Sequence, residues 1–268
     1  MAPSLSGRIW GVDFSGAADA GRRIWIARGE AVGGALHVTR CFRAEDLTGA
    51  GGERSLIFAA LRDFIARQRD CAVGLDFPFG LPQRLVKEES WEEFVLSFPG
   101  CYAGPEEFRQ KCLEAAGGKE LKRVGEQRCR APFSPYNLRL YRQTYYGIRE
   151  VLHPLVKEGL ACVLPVQEAR PWVPWLVEVC PAATLKAQDL YLPYKGRGKE
   201  REKARAAILE ALEGRGVLAV RGEVKELAVR DAGGDALDSI LCALAAWWAV
   251  NGCGNEEGAC RLEGWVYY

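Results

Sequence analysis

Three short runs near the start of the chain are dense in Ile, Val, Trp and Phe: Ile9 to Phe14, Arg22 to Ala27 and Ala35 to Phe42. Gly-containing turns separate them, so each predicts a strand, and the short connections predict an antiparallel meander. From Glu53 to Arg69 the period changes. Leu56, Ile57, Ala60, Leu61, Phe64 and Ile65 recur at helical spacing and end in a basic turn, which predicts a helix. Cys71 to Phe77 is a continuous apolar run broken only by Asp76, the pattern of a strand buried on both faces. The stretch from Pro78 to about Tyr136 is rich in Pro, Gly and aromatic residues, with short amphipathic pieces at Trp91 to Ser97 and Glu106 to Ala115, and predicts an insertion or lid. After it the pattern predicts a helix over Leu138 to Glu158 and a strand over Pro174 to Cys180. A charged amphipathic helix follows over Gly198 to Glu213, then an apolar helix over Asp235 to Val250. The order predicts a mixed α/β fold with a central sheet and flanking helices, in one domain spanning 1–268 with an insertion at about 78–136.

Composition narrows the partners. A chain of 268 residues that is 49% hydrophobic can bury one sizeable core. A net charge of +1 gives no global attraction to nucleic acid or to an anionic membrane, so a nucleic-acid site has to be a local patch. The longest apolar stretch, Ile240 to Val250, is about half of the roughly 20 residues needed to span a bilayer. The first ten residues carry no long apolar segment followed by a small-residue cleavage site, so no secretory signal and no membrane partner are expected, and the location expected is cytoplasmic. Ten cysteines are scattered without C-x-x-C spacing and predict reduced, mostly buried thiols. The two histidines, His37 and His153, lie far apart in apolar settings, which predicts structural roles rather than a zinc site.

Four places put a carboxylate where the pattern asks for a hydrophobe. Asp13 follows Trp10-Gly11-Val12, Asp76 follows Val73-Gly74-Leu75, and Glu178 interrupts Trp175 to Val179; Asp235 and Asp238 open an apolar helix. Each has a local explanation. Asp13 and Asp76 can anchor turns, Asp235 after Gly233-Gly234 can cap the helix, and Glu178 can face solvent from an edge strand. Taken together they suggest convergence, since Asp235 and Asp238 are three apart and share a helix face. Converging carboxylates repel unless a cation holds them, and hard oxygen ligands without His or Cys select Mg²⁺ or Mn²⁺. Two such ions about 4 Å apart would polarise a phosphodiester and lower the pKa of a bound water.

The ordered motifs G-V-D-F-S-G-A, G-L-D-F-P-F-G-L-P, E-V-C-P-A-A-T-L, G-D-A-L-D-S-I-L-C-A-L-A-A and E-G-W-V-Y-Y span almost the whole chain. In that order they resemble domain-of-unknown-function family 429, classed as predicted nucleases of the RNase H fold. The resemblance implies an RNase H-like mixed sheet of five strands that begins with an antiparallel meander and adds parallel strands. It also implies metal-binding acidic residues at Asp13 on the first strand, Asp76 on the fourth, Glu178 on the strand after the insertion, and Asp235 and Asp238 on the final helix.

The function expected is therefore Mg²⁺-dependent phosphodiester hydrolysis, with Asp13, Asp76, Glu178 and Asp238 as the catalytic carboxylates and nucleic acid as the substrate. Ser15 in the first glycine turn and Lys195, Lys199, Arg201 and Arg205 in K-G-R-G-K-E-R-E-K-A-R are candidate phosphate contacts; a solvated helix face explains the same charges. A second basic run has Lys119, Lys122, Arg123, Arg128, Arg130, Arg139, Arg142 and Arg149 interleaved with Phe133, Tyr136, Tyr141, Tyr145 and Tyr146. That mixture suits a nucleic-acid groove, although some of these aromatics can equally be core. Three other functions stay open: a phosphotransferase of the actin and sugar-kinase type, with F-S-G-A cradling a phosphate, a non-catalytic nucleic-acid-binding module, and a small-molecule phosphoesterase. A resolvase-like nuclease would be a homodimer.

Overall fold

The computed structural model describes residues 5, 7–49, 52–252 and 260–268. The expectation of no leader over the first ten residues falls partly outside them. Among the described residues eight strands form one sheet: β1 (Arg8–Asp13), β2 (Trp25–Val32), β3 (Ala35–Arg43), β4 (Cys71–Leu75), β5 (Cys162–Leu164), β6 (Trp175–Val179), β7 (Leu218–Val220) and β8 (Val266–Tyr267). Their order is β5-β6-β4-β1-β2-β3-β7, and β8 pairs with β6 beyond the end of β5. Only β1–β2 and β2–β3 are antiparallel; β1–β4, β4–β6, β5–β6, β6–β8 and β3–β7 are parallel.

The meander is present with its second strand shifted. Ala20–Arg23 forms a short helix (α1), so Arg22 and Arg23 precede β2, which runs on through Gly29 to Val32. The turn of the second hairpin is Gly33-Gly34, both at positive φ, with Val32 opposite Ala35. This two-residue loop needs left-handed backbone at both positions, and glycine supplies it without strain. Gly29 stays in the strand because a side chain there would press on Leu36 across the ladder.

Helices cover both faces of the sheet. On one lie α2 (Arg54–Ala66), α3 (Trp91–Cys101), α4 (Pro105–Ala115), α6 (Tyr141–Tyr146) and α7 (His153–Lys157), and they enclose a core with Trp10, Val12, Phe14, Val73, Leu75 and Leu176. The helix expected over Leu138 to Glu158 starts at Tyr141 and contains one π-helical stretch, Gly147–Leu152, where Gly147 lies against the Phe77 ring. On the other face α9 (Lys199–Gly214), α10 (Gly222–Arg230) and α11 (Asp235–Val250) pack on Ile9, Ala72, Val177 and Val179. Of the short helices α5 (Val124–Arg128), α8 (Pro181–Ala187) and α12 (Cys260–Glu263), α8 follows β6 directly and packs on α11, and α12 packs on α3 and α5.

The apolar helix α11 is central. A Cβ on Gly11 of β1 would sit 2.1 Å from the Ser239 carbonyl and 2.2 Å from the Ala243 nitrogen, and one on Gly74 of β4 would sit 2.4 Å from the Cys242 carbonyl. The helix therefore rests on bare strand backbone at both positions, and residues from Ala236 to Ala246 are buried. All eight cysteines whose side chains are described are free thiols, five of them buried. No helix among the described residues is long and apolar enough to cross a membrane.

Candidate metal centre and its cleft

Strand register assembles the acidic residues. Val12 pairs with Leu75 in the parallel β1–β4 ladder, so Asp13 and Asp76 leave their strand ends side by side. Both share the parity of Gly11 and Gly74, the face on which α11 lies. Helix α11 starts after Gly234 in left-handed backbone (φ 79°) and brings Asp235 and Asp238 to the same point from its first turn. Carboxylate oxygens of Asp13, Asp235 and Asp238 lie within 4.8 Å of one another. Asp235 is the first helical residue rather than the cap; Gly234 holds the cap position, and Asp231 accepts the Ala236 N–H at 3.1 Å.

This cluster is charged at a cost. Asp13 is 8% exposed and Asp238 2%. Burial, then the charge of Asp238, holds the Asp13 carboxyl well above the usual carboxylate range, with Lys195 opposing and Asp76 and Asp235 adding to the rise. Burial and Asp238 push Asp76 up to about 7, with Lys195 opposing and Glu178 adding to the rise. Asp235 is raised as well, first by burial, with Lys195 pulling the other way. Acids that resist ionisation this way want a nearby positive charge. The chain supplies Lys195, whose Nζ is 2.5 Å from Asp238 Oδ2 and 3.7 Å from Asp235 Oδ1. Burial alone would lower the Lys195 pKa, yet Asp238 and Asp13 carry it above the ordinary lysine value.

Tyr194, which the sequence pattern did not single out, donates its hydroxyl to Asp238 Oδ1 at 2.6 Å. Burial and the same carboxylate raise its pKa far above that of a free phenol, so it stays a donor. Arg205 holds the loop that presents Tyr194 and Lys195. It is buried and donates to the carbonyls of Tyr194 (2.5 Å), Gly196 (3.2 Å) and Val229 (2.8 Å), so it does not reach out as the phosphate contact expected of it. The signal was available, because Arg205 falls on the same α9 stripe as Ile208, Leu209 and Leu212, at positions i, i+3, i+4 and i+7.

Glu178 has a different partner from the cation expected. Leu75 pairs with Glu178 across β4–β6, so Glu178 shares the face of Leu75 and Val12, opposite to that of Asp13 and Asp76. On that side it meets Arg123. Glu178 Oε2 accepts from Arg123 Nη1 at 2.8 Å and from the Phe79 N–H at 2.8 Å, and Oε1 accepts from Arg123 Nη2. Arg123 is 1% exposed and also binds Glu126 Oε1 (2.7 Å) and the Glu263 carbonyl (2.9 Å). The Glu263 carboxylate accepts the N–H groups of Gln83 (2.7 Å) and Val124 (2.8 Å), which ties α12 to the turn Gln83–Leu85 and to the start of α5.

A cleft of about 640 Å³ opens over the carboxylates, and its walls include Asp13, Asp76, Glu178, Asp235, Asp238, Ser15, Lys195 and Arg201. A model of the family described as "Protein of unknown function (DUF429)" matches residues 11–259, a span that contains all of these acids. The chain belongs to the DUF429 family. Among curated proteins and solved structures no match was found.

In this DUF429 chain the basic and hydroxyl candidates separate. Ser15, in the cleft wall, accepts the Ala17 N–H at 3.3 Å, and Gly16 behind it is pressed on the Arg142 backbone, where a Cβ would come within 2.6 Å of its carbonyl. Arg201 lines the cleft and donates to the Pro193 carbonyl at 2.5 Å; Lys199 begins α9 on the exposed surface and is not in the cleft wall. Arg142 is paired with Glu106 at 2.8 Å on the outside. Of the interleaved aromatics Tyr136, Tyr141 and Tyr145 are buried and offer no face to a base, whereas Phe133 and Arg139 border the cleft.

Proposed function

We propose that this protein is a Mg²⁺- or Mn²⁺-dependent nuclease of the RNase H-like kind that hydrolyses phosphodiester bonds of nucleic acid. The observation that carries the reading is the approach of Asp13, Asp235 and Asp238 to within 4.8 Å at the floor of a cleft, next to Asp76. The donor set fits a hard divalent cation: oxygen ligands only, no histidine or thiol in the group, and acids whose raised pKa values signal missing positive charge. Asp13, Asp235 and Asp238 would hold the ion, with Asp76 alongside. Bound there, a divalent cation polarises the phosphoryl oxygens and makes water a better nucleophile near neutral pH.

The chain's own groups have defined tasks. Tyr194 fixes the rotamer of Asp238 through its hydrogen bond, and Arg205 fixes Tyr194. Lys195 neutralises Asp238 in the free protein and, once relieved of that task, is within reach of a phosphate entering the cleft. Glu178 acts at one remove: its pair with Arg123 anchors the floor of the cleft beside Phe79. The phosphotransferase alternative gains no support from Gly16, whose backbone packs on Arg142 rather than opening toward the cleft.

Asp13→Asn keeps the shape of the side chain and removes its charge. Assayed on single- and double-stranded DNA and RNA with Mg²⁺ or Mn²⁺, the variant is expected to lose cleavage while its thermal unfolding stays cooperative. Cleavage retained at the wild-type rate would overturn the assignment, and binding of nucleic acid without cleavage by the wild type would favour the binding-module alternative.

A further inference from the structure

The rim of the cleft differs from its floor. Tyr191 and Leu192 are 54% and 41% exposed on the segment that leads to Tyr194, and Phe133, Arg139 and Leu140 stand on another part of the wall. The Arg139 guanidinium lies 5.2 Å from the Phe133 ring centroid, and the Lys186 ammonium lies 5.3 Å from that of Tyr191. Arg139 and Arg201 have no carboxylate partner among the described residues. An exposed Tyr191 ring beside an ammonium and a half-buried Phe133 ring beside a guanidinium, at the mouth of a polar cavity, are arranged for a ligand with both a flat face and negative charge.

We infer, resting on the nuclease reading above, that the cleft takes an unpaired nucleotide of a single-stranded substrate, stacking a base on Tyr191 or Phe133 while Arg139 and Arg201 hold the adjoining phosphates. Two further observations support the single strand over the duplex. The carboxylates are recessed: Asp13 and Asp238 are buried, so a phosphodiester has to enter the cleft to reach them. A cavity of 640 Å³ falls within the range of about 300–1,000 Å³ that encloses small ligands, the scale of one or two nucleotides. In a duplex each base face is covered by its neighbours, and reaching such a pocket requires flipping a base at an energetic cost. A strand that is already unpaired bears no such cost, and aromatic stacking is tolerant of sequence because every base has a flat face.

The test uses the full chain in Ca²⁺, to support binding without turnover, and a short single-stranded oligonucleotide carrying a fluorescent adenine analogue, free or annealed into a blunt duplex. Stacking quenches the analogue. The single strand is expected to bind at least about tenfold more tightly than the duplex, with quenching. Tyr191→Ala, at an exposed position, is expected to weaken binding about five- to 150-fold, and Arg139→Ala to weaken it and flatten its salt dependence, both at unchanged melting temperature. Equal or tighter duplex binding, or wild-type affinity and quenching in both variants, overturns the inference. Cleavage of the blunt duplex that both variants retain in full would overturn it and leave the nuclease reading standing. Single-strand binding that needs Tyr191, with no cleavage in Mg²⁺ or Mn²⁺, would support the stacking site and remove the nuclease reading.

Discussion

With divalent cations removed, the Asp76 carboxyl should subtract stability as pH rises from about 4 to 7, the reverse of the ordinary acid sensitivity of a carboxylate. Its pKa is 3.8 in a solvated chain and about 7 in the fold, because burial and the charge of Asp238 oppose ionisation. Below 3.8 folded and unfolded chains are both protonated there, and the contribution is fully present. Between the two values the folded chain holds a proton that the unfolded chain has released, so unfolding free energy falls as pH increases. The loss is complete above the folded value and amounts to about 4 kcal/mol, a large part of a stability of roughly 5–15 kcal/mol. The assay is urea denaturation in EDTA at a series of pH values, comparing wild type with Asp76→Asn, which cannot titrate at that position. The wild type should lose stability relative to the variant across that window, and saturating Mg²⁺ should flatten the difference. A gap between the two proteins that is independent of pH in EDTA would mean that the carboxylate ionises without penalty and that burial does not hold its proton.

Two other substitutions test the scaffold. Gly11→Ala places a methyl group 2.1 Å from a backbone carbonyl of α11, which has to move by about an ångström; overpacking of this kind costs roughly 1–3 kcal/mol. Because α11 carries Asp235 and Asp238, the variant should also lose the thermal stabilisation that Mn²⁺ gives the wild type; a variant that melts as the wild type does, and gains as much from Mn²⁺, would contradict the close approach. Arg123→Met strands Glu178 and Glu126 in a buried site and should cost about 3–5 kcal/mol in urea denaturation, partly recovered by adding Glu178→Gln.

Much of the scaffold was legible because its signals are strong. The strand at Cys71–Leu75, the helix Arg54–Ala66 and the long apolar helix Asp235–Val250 lie close to where the hydrophobic pattern puts them. The second strand was misplaced because Arg22 and Arg23 lie in a one-turn helix and Gly29 reads as a turn, although a cross-strand contact with Leu36 explains it. The strands β5, β7 and β8 have two or three residues each, too few to show any period, and their pairing depends on long-range partners. At the site, Asp13, Asp235 and Asp238 stood out as charges in apolar runs, and they are the ones that converge. Glu178 stood out by the same criterion, yet the criterion is silent about which face a residue takes. Only the β4–β6 register, which aligns Glu178 with Leu75, sends it to Arg123 instead. Arg123 itself sat in a basic run and carried no mark of burial. Tyr194 was hidden because a tyrosine in a loop does not reveal its hydrogen-bond partner.

Crystals of the protein soaked in Mn²⁺, with data collected at the manganese absorption edge, should show an anomalous peak bounded by Asp13, Asp235 and Asp238, with the Lys195 ammonium displaced from Asp238 and Glu178 still on Arg123. No peak at that position, with Lys195 remaining against Asp238, would contradict the metal assignment.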